Sequence, residues 1–225
     1  MDMNIWLALA GLILVIIGGL IGGIILTTRP THGNKIAQYE FPQQALLVID
    51  IQEDYTGTTA QPPFPYKESQ KLIATVNTII EAASKKNILI VYIRQEFDGV
   101  WGRMLSKVFA RGTAMRGNPG TEIDKRLSLL SRHIFSKPKG DAFSNPKLDE
   151  LLTKHQVNEI HLVGLDAEFC VHHTAKGALN RGYTVNIITD GIALRAEQKW
   201  DSLLKQYQQE GITLMVSKEF VNGNS

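Results

Sequence analysis

Two continuous apolar runs, residues 45–49 and 88–93, set the terms on which this chain can fold. Runs without polar alternation mark strands buried on both faces, the setting of a central parallel sheet. Between them Leu72, Ile73, Val76, Ile79 and Ile80 recur at helical spacing, and Lys85, Lys86 and Asn87 punctuate the return, which makes one βαβ unit. Asn145 then caps and Pro146 opens a helix carrying Leu148, Leu151 and Leu152, ahead of a strand at 159–165. A helix from Cys170 ends near Gly182, and a strand follows at 184–188. Ala196, Trp200, Leu203, Leu204 and Tyr207 mark a last long helix before 212–216. Right-handed crossovers turn this alternation into an α/β fold, a three-layer sandwich around a mostly parallel sheet. There is no internal repeat.

The first 27 residues stand apart. No charged residue occurs from 5 to 26, long enough as a helix to cover a hydrocarbon core of about 30 Å, so an N-terminal transmembrane helix is expected. A cleaved signal peptide is the competing reading, but it calls for basic residues where the chain has Asp2. Arg29 and Lys35 follow the apolar run and no Lys or Arg precedes it, which places the large domain in the cytoplasm of a single-pass membrane protein. Gly18 with Gly22, and Gly19 with Gly23, would allow a second helix to approach closely. The resulting division is a membrane anchor at 1–27, whose residues 5–26 contact the lipid bilayer, a juxtamembrane linker at 28–43 and a folded domain at 44–225. A net charge of +2 with mixed signs excludes the basic stripe of a nucleic-acid binder, and a single cysteine excludes a disulfide framework.

In a parallel sheet the carboxyl ends of all strands share one edge, so groups distant in sequence can meet there. Asp50 ends the first apolar run, and Cys170 follows the strand at 159–165, where a helix start would favour its thiolate. If residues 133–135 form a strand, Lys137 and Lys139 reach the same edge. Residues 55–65 and 96–131 break the βα rhythm and are candidates for lining a pocket. Phe97, Trp101, Phe143 and Phe169 are candidate apolar walls. His172 and His173 point largely away from Cys170 on a helix, and Asp54 and Asp190 read as structural.

Three segments resemble the isochorismatase-like cysteine hydrolases. Residues 46–55 are similar to that family's opening strand, Phe135, Ser136 and Lys137 with Ala142 and Phe143 to its lysine motif, and residues 164–171 with Thr174, Ala175, Arg181, Gly182 and Tyr183 to its cysteine motif. The resemblance spans 44–216 and implies a catalytic triad of Asp50 as general base, Lys137 as orienting cation and Cys170 as nucleophile, with Lys139 the alternative lysine. It further implies hydrolysis of an amide-like C–N bond in a small molecule through a thioester. A non-proline cis peptide at Leu165–Asp166 is also implied, with the backbone N–H groups of Asp166 and Cys170 facing the oxyanion. A homo-oligomer and no cofactor are expected as well. Nicotinamidases of the family hold a metal through an Asp-x-His arrangement, whereas this chain has Glu96, Phe97 and Asp98, so no metal is expected. The competing function is a catalytically silent, membrane-tethered binding module of the same fold.

Overall fold

The computed structural model describes residues 3–60, 64 and 66–223, apart from the side chains of 3–5, 7–10, 20, 24–28, 105, 109 and 197. Six strands form one parallel sheet: β1 (Gln43–Ile49), β2 (Leu89–Gln95), β3 (Ile134–Lys137), β4 (Val157–Gly164), β5 (Thr184–Ile192) and β6 (Thr213–Met215). Their order is β3-β2-β1-β4-β5-β6. The sheet therefore grows in one direction from β1 and in the other from β4, and the boundary between those two strands is a switch point, where α/β folds place ligands.

The central strands are apolar on both faces because both are covered. Leu46, Val48 and Ile90 pack with α2 (Ser69–Lys85) and, through Phe220, with α7 (Ser217–Asn222). Leu47, Ile49, Leu162 and Ile187 face the other layer, built from α4 (Pro146–Lys154), α5 (His172–Arg181) and α6 (Trp200–Gln209). α3 (Gly99–Phe109) lies in the long connection after β2.

Local signals act as their chemistry requires. Asn145 accepts the Lys147 N–H at 3.1 Å to cap α4. Asp190 accepts the Ser217 N–H at 2.7 Å at the start of α7, in keeping with the structural role read from the sequence. Gly182 ends α5 at φ +88°. The helix expected to begin at Cys170 begins instead at His172, preceded by a single π turn over Ala167–Val171 that contains the cysteine.

The amino-terminal expectation divides. The charge-free run is helical over Met3–Thr28 (α1). Among the described residues, however, no helix is long and apolar enough to cross a membrane. The expected transmembrane helix is thus corrected to a helix whose apolar surface is thinned by Gly11, Gly18, Gly19, Gly22 and Gly23. The stretch after it, expected as a linker, has no regular structure yet is tied to the domain. The Thr31 N–H and hydroxyl both donate to buried Asp141 at 2.7 Å, and Ile36 N–H donates to the Arg181 carbonyl at 2.9 Å.

Candidate active site

Four adjacent strands deliver four side chains to one edge of the sheet. Lys137 is the last residue of β3, Gln95 the last of β2, Asp50 follows β1, and Cys170 sits in the π turn after β4. Lys137 is fully buried, and its Nζ reaches three of these partners: Asp50 Oδ2 at 2.8 Å, Gln95 Oε1 at 2.6 Å and Cys170 Sγ at 3.2 Å. The three residues singled out in the sequence are thereby brought together around one ammonium group. Lys139, the alternative lysine, instead lines a surface groove with Thr31, Asp149 and Arg181.

The backbone is shaped to make this meeting possible. Asp50 has φ +55°, a left-handed conformation uncommon outside glycine. Gly164 ends β4 at φ +113°, and a Cβ there would lie 2.0 Å from the Ile49 carbonyl oxygen, so only glycine lets the two strand ends pass. Leu165 N–H donates to Ile49 O at 2.9 Å and Ala167 N–H to Ala193 O at 2.8 Å, fixing the chain on both sides of Asp166. Asp166 accepts from Tyr66 Oη and from Glu168 N–H, each at 2.8 Å.

Burial dominates the electrostatics. It pushes the Cys170 thiol up to about 12; Lys137 opposes the rise and Asp50 adds to it. Burial thus works against the thiolate that the start of a helix would favour, and Lys137 works for it. Burial likewise raises the Asp50 carboxyl, with Lys137 pulling it back. For Lys137 burial works against the charge, but Asp50 and Cys170 outweigh it and hold the ammonium above the ordinary lysine value. Among the described residues Asp50 Oδ1 is buried without a hydrogen-bond partner, which leaves one carboxylate oxygen open to a proton.

Gln95 escaped the sequence reading. Its side-chain Nε2 donates to the Lys137 carbonyl at 3.1 Å, and its backbone N–H donates to Gln52 Oε1 at 2.7 Å. Its signal was position alone, the carboxyl end of a buried strand. Tyr55 and Tyr66 were also missed as site residues. Burial raises both phenols, with Asp50 and Cys170 adding to the rise at Tyr55, and Asp166 and Cys170 at Tyr66. Phe64 packs between them, with ring centroids 5.1 and 5.6 Å away.

Other candidates resolve differently. Phe143 is buried against Tyr183 and under the Arg181 guanidinium, so it belongs to the core and not to a pocket wall. Phe169 is 45% exposed beside Cys170. Trp101 packs on Gly23 of α1, and Phe97 exchanges backbone hydrogen bonds with the Ala114–Arg116 segment. His172 pairs with Glu210, and burial together with the His172 and Lys137 charges lowers His173 to about 4, so neither joins Cys170 in a dyad. Asp54 accepts the Ala114 N–H at 2.7 Å and holds the long connection in place. Glu96 and Asp98 are taken up by arginines, Glu96 by Arg94 at 2.9 Å and Asp98 by Arg116 at 2.6 Å.

The isochorismatase domain family matches residues 44–219, most of the chain. The chain belongs to the isochorismatase family. Within it, the uncharacterized isochorismatase family protein YaaI of Bacillus subtilis is 27% identical over 158 residues, 69% of this chain and 83% of that protein. The nicotinamidase of Escherichia coli is 24% identical over 186 residues, covering 67% of this chain and 83% of its own. The crystal structure of N-carbamoylsarcosine amidase from Thermoplasma acidophilum superposes with a TM-score of 0.67 at 25% identity, over 79% of this chain and 98% of that one. Family membership makes this chain a hydrolase, and the names of the last two relatives describe enzymes that cut amide-type C–N bonds.

Proposed function

We propose that the chain hydrolyses an amide-type C–N bond in a small molecule by covalent catalysis at Cys170. The observation that carries the reading is the single Lys137 ammonium lying 2.8 Å from Asp50 and 3.2 Å from Cys170 at the sheet's switch point. Because burial raises the thiol, attack is served by a base, and Asp50 Oδ1, without a hydrogen-bond partner, is available to take the Sγ proton. Lys137 stabilises the thiolate as it forms.

Sγ then bonds to the substrate carbonyl carbon, and the oxygen's negative charge is received by the N–H groups of Asp166 and Cys170. Asp50 returns the proton to the nitrogen, the C–N bond breaks, and ammonia or an amine leaves a thioester on Cys170. Water, deprotonated by Asp50, attacks the thioester; the acid departs and the proton goes back to sulfur.

We further propose that residues 5–26 hold the enzyme at a lipid bilayer, with the catalytic domain on the cytoplasmic side. Support comes from the absence of charge in that run and from seven large apolar side chains, Leu12 through Ile17 and Ile21, that α1 leaves exposed. Profiling a panel of carboxamides and ureido acids for ammonia release tests the catalytic part. Wild-type turnover lost in Cys170→Ala supports it; a panel on which wild type is inert favours a binding module.

A further inference from the structure

The long connection after β2 carries a surface that catalysis does not use. On α3 the inward side is set by Ser106, which is fully buried and donates to the Thr113 carbonyl at 2.6 Å. With about 3.6 residues per turn, Lys107, Val100, Met104, Val108 and Trp101 follow one another round the opposite side, with Arg103 at the flank next to Lys107. Two valines there are strongly exposed, Val100 at 89% and Val108 at 61%, and Trp101 is 41% exposed. The helix has no acidic residue, and its cap Asp98 is neutralised by Arg116 at 2.6 Å.

We infer that this face of α3 is an interfacial membrane contact that seats among anionic lipid headgroups. An apolar strip flanked by cations, with a tryptophan at its border, is the pattern of a helix lying in the plane of a bilayer surface. Continuity with the amino-terminal helix supports the same occupant. The Trp101 indole lies so close to Gly23 that a Cβ there would meet it at 2.1 Å, which joins α3 to the carboxyl-terminal part of α1. With α1 held at the bilayer as proposed, α3 lies beside it at headgroup level. The complementary charge is that of phosphatidylglycerol or phosphatidylserine, and each cation near such a surface contributes roughly a fivefold preference. Since α3 starts four residues after Gln95, the contact also turns the catalytic edge toward the membrane.

The inference rests on the proposed tether, and the test separates the two. The full chain carrying Trp6→Phe and Trp200→Phe keeps Trp101 as its single tryptophan. It is incorporated into vesicles of phosphatidylcholine and phosphatidylglycerol in equal parts, with lipids brominated on their acyl chains. Flotation with the vesicles together with strong quenching of Trp101 is expected. Arg103→Glu with Lys107→Glu should leave flotation intact while lowering the quenched fraction about tenfold or more. Flotation without Trp101 quenching overturns this surface and leaves the tether standing. Quenching unchanged by the two charge reversals also overturns it, as does a cross-link from Trp101's face to a second copy of the chain. A chain that does not float overturns both.

Discussion

Lys137 is the residue on which the site depends, because its buried ammonium is the counter-charge for a buried carboxylate and the neighbour of a half-buried thiol. Gln95 fixes it from both ends, accepting from Nζ and donating to its carbonyl. Gln95→Leu removes an acceptor from a buried charge and should cost about 1–3 kcal/mol in chemical denaturation. It should also lower kcat more than it raises KM, since the lysine loses its alignment; an unchanged kcat would show that Asp50 alone positions it. The pH profile follows from the same cluster. In the proposed role of base Asp50 acts only when ionised, and its carboxyl is raised above 3.8. The rate of kcat/KM should therefore fall as pH drops through that raised value. Lys137 is held above 10.5, so its cation is retained through the neutral range. A rate that increases toward acid would assign the proton differently.

At the level of elements, the strand ends are arranged by backbone geometry as much as by packing. Gly164→Ala would drive a methyl into the Ile49 carbonyl and force a left-handed conformation on a residue with a side chain. A loss of more than about 3 kcal/mol in stability is expected, read as a lowered Tm, together with loss of activity. The central strands were legible because burial on both faces leaves a continuous apolar signature. The four-residue edge strand β3 was legible only conditionally, since Ile134 is exposed and too few residues carry a pattern. The π turn could not be read at all, because one extra residue in a helical turn leaves no trace in composition. The burial that opposes a Cys170 thiolate is hidden in the same way, since sequence shows that a helix follows Cys170 but not how much protein surrounds the sulfur.

For the whole molecule, the same contrast separates what the sequence shows from what only the fold shows. Asp50, Lys137 and Cys170 were recognisable because each ends or follows a strand in a resemblance that runs the length of the domain. Gln95, Tyr55 and Tyr66 were not, because a glutamine at a strand end and tyrosines in a loop acquire meaning only from neighbours distant along the chain. The segment after α1 looked like a linker for want of periodicity, yet Arg181, paired with Asp149 at 2.7 Å, also donates to Thr31 Oγ1 at 3.0 Å and so secures it to α5. Arg181→Lys cannot keep the two-pronged pairing with Asp149. It should loosen residues 30–36, seen as faster amide hydrogen exchange there, while exchange in the central strands stays slow.

The account is tested most directly by intact-protein and peptide mass spectrometry of the enzyme quenched in acid during turnover of a slowly hydrolysed amide. An added acyl mass is expected on Cys170 in wild type, and none in Cys170→Ala or Asp50→Asn. Continued turnover by Cys170→Ala, or an acyl group on any other residue, would contradict it.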